Sequence, residues 1–393
     1  MNLHRHYCIL AASAILTLTG LSSCKKDYSK DTPLPDVYTP TLFVSSDNQI
    51  VYALDPISGE KKWKVTVDAG VTATPMIYNK TLYVGTTAGT LYALDAQYGT
   101  QKVTANFAAP IIGTPIMRGN NMLLVTAGTK LYALDPNTLQ ELTFNNPTHD
   151  PIGPYDMGGA IMSSPAIHNI PGKKDNAIFI SSMNNNVVAL NDSLLVIWTF
   201  SPADAQGFYS SPCVVNDSFL YIGNDNGKIY AVNTQDGTQK WSFTTGGQVR
   251  SSPIQIGGNV LVGSSDRNFY SVDSSTGLLR WKYLTGDAIQ SSPAVFNQNV
   301  YFGSYDNYFY CIDIIDGHKV WDIPTAALIK SSPVIYNGDV YFGGFDKLLY
   351  RLNVTTGAQE INPISINGQM QTSPIVDQVG SIAVPSISGN YKY

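Results

Sequence analysis

The chain has 393 residues, of which 13% are charged, with 24 Tyr, 33 Gly and a formal net charge of −5. The charged share is about half the usual value for soluble proteins, which excludes a coiled coil, a disordered chain and a helical bundle, each of which needs far more Glu, Lys, Arg or Ala. The negative balance leaves no basic surface for nucleic acid, and the composition reads as folded and β-rich.

At the N-terminus, His4, Arg5 and His6 precede an apolar run from Tyr7 to Leu21. That run is shorter than the roughly 20 residues of a spanning helix and suits a secretory signal. It ends in Leu21-Ser22-Ser23-Cys24, which resembles a bacterial lipobox, where cleavage precedes a Cys that is then acylated. The expected division is a signal peptide over 1–23, lipidation at Cys24, and a tether over 24–40 that carries Pro33, Pro35 and Pro40. Of the four Cys, Cys8 leaves with the signal and Cys24 takes lipid. Cys213 and Cys311 stand on repeats that are not neighbours and read as buried structural thiols.

Residues 41–393 repeat one unit. Pro165, Pro212, Pro253, Pro293 and Pro333 stand in Ser-Ser-Pro, with the variants Thr74-Pro75, Thr114-Pro115 and Ser373-Pro374. The spacings from Pro75 are 40, 50, 47, 41, 40, 40 and 41 residues. Between them recurs Tyr52-Ala-Leu-Asp55, through Tyr92-Ala-Leu-Asp95 to Tyr350-Arg-Leu-Asn353, and then a Gly followed four residues on by Trp, as in Gly277 and Trp281. A period near 40 with four short strands per unit predicts a β-propeller. In residues 331–368 the strands are expected at Ser331–Ile335 (A), Val340–Gly343 (B), Leu348–Asn353 (C) and Ala358–Ile361 (D), with Asn337-Gly338 as the hairpin turn. Seven complete units and one stitched from both ends make an all-β, single eight-bladed propeller. In the stitched unit, Thr41 to Val67 supplies B, C and D, and Gln371–Val376 supplies A. Ser381–Ser386 also resembles a strand B and competes with Leu42–Ser46 for that slot. Trp63, Trp198, Trp241, Trp281 and Trp321 are expected to wedge between neighbouring blades.

The pattern Ser-Ser-Pro, Val-Tyr-x-Gly-Ser-x-Asp, Tyr-Ala-Leu-Asp, Thr-Gly-x-x-x-Trp resembles the repeat of pyrroloquinoline-quinone-type propellers over nearly all of residues 41–393. One branch of that family, the quinoprotein dehydrogenases, is longer and holds its cofactor under a vicinal Cys-Cys pair beside calcium and a catalytic Asp. No two of the four Cys are adjacent here. The other branch, the BamB lipoproteins of the outer-membrane barrel-assembly machinery, is a single eight-bladed propeller on a lipid anchor and agrees in length and layout. The resemblance implies a non-enzymatic scaffold for protein–protein contacts, lipid-anchored at the cell outer membrane, which assists outer-membrane protein assembly. Its partners would be envelope proteins, including the barrel-assembly core. A surface lipoprotein that binds a glycan or other ligand is the second reading, and a pyrroloquinoline-quinone-dependent dehydrogenase the third.

The motifs of the chain point away from catalysis, a metal or a cofactor. After the signal only His149, His168 and His318 remain, without His-x-x-x-His, Cys-x-x-Cys or a Gly-rich phosphate loop. Asp225-Asn226-Gly227, Asp236-Gly237 and Asp316-Gly317, and the recurrent Asp55, Asp95, Asp135, Asp273 and Asp313, read as turn formers. The candidate binding rim comes from what is not repeated. Two enlarged connections, Thr143–Met162 and Thr199–Tyr209, are expected side by side on one face. They carry His149, Asp150, Tyr155, Asp156, Asp204, Phe208 and Tyr209. The residue before each Ser-Ser-Pro should line the channel mouth on that face, adding Arg250, Gln290, Lys330 and Gln371. Such a rim suits a peptide strand, a carboxylate or a sugar. Replacing Arg250 and Lys330 together by Ala is expected to weaken binding with little change in stability.

Overall fold

In a computed structural model the described residues are 39–143, 153–169, 176–215 and 218–377. The signal, Cys24, most of the tether, His149, Asp150 and the rival strand Ser381–Ser386 lie outside them. The described residues form eight four-stranded antiparallel sheets. Blade I is Met76–Tyr78, Thr81–Gly85, Thr90–Asp95 and Gln101–Asn106, and blade II is Ile116–Arg118, Met122–Ala127, Lys130–Leu134 and Tyr155–Asp156. Blade III is Ala166–Asn169, Asn176–Ser181, Val187–Leu190 and Val196–Phe200, and blade IV is Cys213–Val215, Phe219–Gly223, Lys228–Asn233 and Gln239–Thr244. Blade V is Ile254–Ile256, Asn259–Gly263, Asn268–Asp273 and Leu279–Leu284, and blade VI is Ala294–Phe296, Asn299–Gly303, Tyr308–Asp313 and Lys319–Pro324. Blade VII is Val334–Tyr336, Asp339–Gly343, Leu348–Asn353 and Ile364–Ser365. Blade VIII joins Ile375–Asp377 to Thr41–Ser45, Ile50–Leu54 and Lys61–Thr66. In it Phe43 pairs with Ile375 and Leu42 with Val376, so the N-terminal copy fills the slot beside the last strand A. The first and last described strands thus share one sheet, and the ring needs no open junction there.

Successive side chains of a strand point to opposite faces, so the unbroken apolar runs of the inner strands, such as Met122–Ala127, bury on both sides between blades. The core is accordingly eight apolar clusters, one per seam. One joins Phe179, Ala189 and Trp198 of blade III to Leu220, Tyr230 and Val232 of blade IV, and another joins Leu42 and Tyr52 of blade VIII to Tyr341 and Leu349 of blade VII. Turn chemistry sets the strand ends. Asn337 and Gly338 hold φ of 51° and 80°, as a two-residue hairpin requires. The motif Asp accepts backbone N–H groups two and three residues on: Asp273 takes Ser275 and Thr276 at 2.9 Å each. These carboxylates build turns, as their fixed position in the repeat implied.

The Ser-Ser-Pro element does more than fit a crowded centre. Strand A begins after the Pro, at Val334 rather than Ser331, which leaves the Ser-Ser backbone to bond sideways. Ser164 N–H donates to Ser211 Oγ at 2.9 Å, Ser211 to Ser252 at 3.0 Å, Ser252 to Ser292 at 2.9 Å and Ser292 to Ser332 at 2.9 Å. Thr114 to Ser164 at 2.8 Å and Ser373 to Thr74 at 3.0 Å extend the same belt. Each second Ser therefore ties its blade to the one before, across the channel wall. Ser292→Ala leaves the Ser252 N–H without its acceptor and is expected to cost about 1 kcal/mol, read as a shift of the urea midpoint.

Two expectations about strand positions change. Strand D of blade VII is not Ala358–Ile361: Gln359 makes a single bridge to Leu352, and pairing resumes only at Ile364–Ser365. Pro363 falls between, and a ring without an N–H cannot continue the ladder. The enlarged connections also differ from expectation. In blade II the extra residues interrupt strand D itself, since Leu134 bridges Glu141 and pairing resumes at Leu131 with Tyr155. In blade III most of the extra length lies between strands A and B, whose pairing starts at Asn169 and Asn176. Antiparallel strands alternate in direction, so A-to-B and C-to-D turns share one face, and B-to-C turns and D-to-A connections share the other. The two enlargements are therefore not neighbouring loops on the channel-mouth face.

Candidate functional site

The Trp residues are seam residues, and their partner lies in the next blade. A Cβ placed on Gly277 would come within 2.7 Å of Trp241 Cδ2, and one on Gly317 equally close to Trp281. Gly99, Gly237 and Gly357 receive Trp63, Trp198 and Trp321 in the same way. Each indole N–H donates to a carbonyl of that neighbouring turn, as Trp281 does to Ile314 at 3.0 Å. Where the Trp is lost the pair changes together: Val103 faces a cluster with Leu139, and Leu142 one with Leu194. At the closing seam Ile361 and Ile364 lie over Gly59.

On the B-to-C face, the residues before each Ser-Ser-Pro run around the mouth as Thr72, Ile112, Met162, Tyr209, Arg250, Gln290, Lys330 and Gln371, and all are half-buried. The structure brings four of the expected rim residues together. The Arg250 guanidinium lies 5.1 Å from the Tyr209 ring centroid, and Lys330 Nζ lies 6.0 Å from the same ring. Both are cation–π distances. Tyr209 and Lys330 belong to blades IV and VII, so this contact requires the side chains to converge over the channel mouth. Lys330 Nζ also donates to Gln371 Oε1 at 3.1 Å. Gln290 occupies the rim between Arg250 and Lys330.

Two members of the cluster escaped the sequence reading. Asp225, with a side chain 6% exposed, holds Arg250 through Nε at 2.9 Å and Nη2 at 2.7 Å. That fork keeps the guanidinium firmly charged. Tyr305 occupies the corresponding turn position of blade VI, and burial raises its hydroxyl to about 12, with Tyr209 and Arg250 close enough to contribute. Both residues sit in the B-to-C turn column of the repeat, where Asp225 looked like one more turn carboxylate.

The remaining rim candidates are used elsewhere. Phe208 is fully buried and packs against Phe200 and Tyr230 at centroid distances of 6.5 and 6.1 Å, so it is core. Asp204 is engaged by Lys228 and accepts the Tyr230 hydroxyl at 3.1 Å, with its carboxyl held below the usual range by the Lys228 bond. Tyr155 and Asp156 form the outer strand of blade II, with Asp156 accepting the Gly158 N–H at 2.8 Å. None of these joins the Tyr209 cluster.

Cys213 and Cys311 are buried and form no disulfide, and burial pushes the Cys311 thiol up to about 12. Among the described residues, Asp313, Asp316 and His318 bring possible metal-ligand atoms within 4.8 Å of one another. They belong to an exposed C-to-D turn in which Asp316 accepts the His318 N–H at 3.0 Å.

The family described as "Outer membrane protein assembly factor BamB" matches residues 47–193 and again 183–383. BamB of Escherichia coli K12 is 32% identical over 92 residues, 21% of this chain and 24% of that protein. The Salmonella typhimurium LT2 protein is 29% identical over the same length. The chain thus matches about a quarter of the length of these curated relatives. Among solved structures, the computationally designed Ika8 protein superposes with a TM-score of 0.64 at 15% identity, over 79% of this chain and 92% of that one. BamB from Moraxella catarrhalis gives a TM-score of 0.45 at 16% identity, over 86% and 88%. With eight closed blades, one repeat and a family match that spans nearly the whole ring, the chain belongs to the family of outer-membrane protein assembly factor BamB.

Proposed function

We propose that this protein is a non-enzymatic scaffold that assists outer-membrane protein assembly, anchored at the outer membrane through lipid on Cys24. Its contact with envelope partners, the barrel-assembly core among them, is made by the channel-mouth cluster of Tyr209, Arg250, Lys330 and Gln371. One observation carries the reading: three blades converge polar side chains on this mouth, around Tyr209, while the hydroxyls of the channel wall are committed to tying blades together. A folded, preorganised patch of aromatic and cationic groups is what a protein-binding hot spot is made of. The family match and the lipobox-like N-terminus support the assembly role and the location.

The test is site-specific photo-crosslinking in cells. A photoreactive residue replaces Gln290 at the mouth or, separately, Leu278, which is 68% exposed in a C-to-D turn on the other face. The Gln290 position is expected to capture the barrel-assembly core protein and the Leu278 position not to. Capture from Leu278 alone, or from neither, overturns the proposal. Stoichiometric uptake of pyrroloquinoline quinone by the purified protein would overturn its non-enzymatic part.

A further inference from the structure

The charge left unpaired at the mouth says which chemistry it selects, and this inference rests on the mouth being the binding face. Lys330 Nζ carries three protons and, among the described residues, bonds Gln371 Oε1 alone. The Gln290 side-chain amide, Arg250 Nη1 and the hydroxyls of Tyr209 and Tyr305 have no hydrogen-bond partner among the described residues. The carboxylate of the cluster, Asp225, is already held by the Arg250 fork and by Gln248 Nε2 at 3.5 Å. The Arg250 charge is thereby balanced and the Lys330 charge is not. Asp287, exposed beside Tyr305, is the other acid near the mouth, and among the described residues neither it nor Asp225 pairs with Lys330. The Gln290 amide and the two Tyr hydroxyls can accept as well as donate, so what sets the mouth apart is the Lys330 charge. A neutral sugar gains little from an unpaired ammonium, whereas a carboxylate gains a charge-assisted hydrogen bond from it. Across the mouth, Ile112 and Met162 present half-buried apolar side chains at the equivalent positions of blades II and III. That sector suits the apolar side chains next to a carboxylate in a polypeptide rather than a sugar ring.

We infer that the mouth binds a carboxylate of a polypeptide, with Lys330 as its cation, the Gln371 amide as a flanking donor and the Tyr209 ring as the platform beneath. Arg250 is a positioning residue here, since it carries Tyr209 while pinned to Asp225. Arrival of the ligand adds the counter-charge that Lys330 lacks, and its neighbouring side chain lies against Tyr209.

The test uses the full chain in mild detergent and three dye-labelled hexapeptides of Ala and Phe, read by fluorescence anisotropy. One ends in a free carboxylate, one is its C-terminal amide, and one is the amide with an internal Asp. At least one acidic peptide is expected to bind about tenfold or more tightly than the neutral amide, with the difference shrinking as salt rises. Lys330→Gln is expected to erase that difference, and Lys330→Arg to retain it. Equal binding of acidic and neutral peptides, or a preference that survives Lys330→Gln, overturns the inference. So does tighter binding of an oligogalacturonate than of either acidic peptide. The two proposals fail separately: carboxylate binding without capture of the barrel-assembly core keeps this site and removes the assembly role, and capture without carboxylate preference does the reverse.

Discussion

Trp281→Ala is expected to lower folding stability by about 3–5 kcal/mol, the range for deleting a large buried aromatic. The indole is 9% exposed and fills the seam between blades V and VI, stacked 6.2 Å from Phe269. Truncation leaves a cavity that two sheets on opposite sides cannot both close. It also removes the N–H that reaches Ile314 across the seam at 3.0 Å. Because the Trp lies directly on Gly317, whose φ is 78°, Gly317→Ala should damage the same contact from the other side. The methyl would strain that backbone and drive into the ring. The two changes share one contact, so the double variant is expected to lose less than the two single losses together. Urea unfolding of the four proteins measures this. Leu284→Ser, at a side chain 61% exposed, is the control and should shift stability by less than about 0.5 kcal/mol. A Trp281→Ala protein as stable as that control would show that the seams are not the source of ring stability.

Arg250→Ala is expected to cost about 2 kcal/mol of stability, although the residue lies at the rim. Its removal strands the Asp225 carboxylate, nearly buried, with only the long Gln248 contact at 3.5 Å from a side chain. Breaking a well-buried ion pair costs roughly 3–5 kcal/mol, and the 28% exposure of the Arg250 side chain brings that down. Adding Asp225→Asn to Arg250→Ala removes the unpaired charge and should recover part of the loss. Thermal unfolding of the two variants checks the order. If Arg250→Ala alone is neutral, the fork is a surface contact and Tyr209 is not held by it. The sequence suggested that Arg250 and Lys330 could be removed together with little effect on stability. The structure separates them: Lys330 meets only an amide and a ring face, and it alone is the clean probe of binding.

Much of the fold is legible in the chain because a propeller is written as local repetition. Ser-Ser-Pro, Tyr-Ala-Leu-Asp and the Gly-to-Trp spacing recur near every 40 residues, and each encodes a short-range event: a strand start, a strand end or a turn. Eight blades, the shared closing blade and the turn role of the motif Asp residues follow from such local signals. So does the role of each Trp as a wedge, but not its partner. The spacing names no partner, and the structure supplies it: Trp241 lies on Gly277 of the next blade. The break at Pro363 was visible as a residue, yet the repeat hid its effect by offering Ala358–Ile361 as a strand in register.

The site divides along the same line. Repeat register alone placed Tyr209, Arg250, Lys330 and Gln371 on one rim, because a residue at a fixed offset from strand A must point to the same end of the channel. Which of these meet, and what holds them, was decided by the closure of the ring. Tyr209 reaches Lys330 three blades away, and Asp225 claims Arg250 from a turn column that elsewhere only shapes loops. Phe208 and Asp204 show the converse, since an inserted loop and polar or aromatic letters made them look like rim. Phe208 went to the core, where burial of its ring is favourable, and Asp204 to Lys228 and Tyr230. Local chemistry therefore determined the blades, their number and the face that carries the mouth. Contacts between residues far apart in the chain decided which charges are spent and which remain available, because those depend on distances that exist only once the last strand has paired with the first.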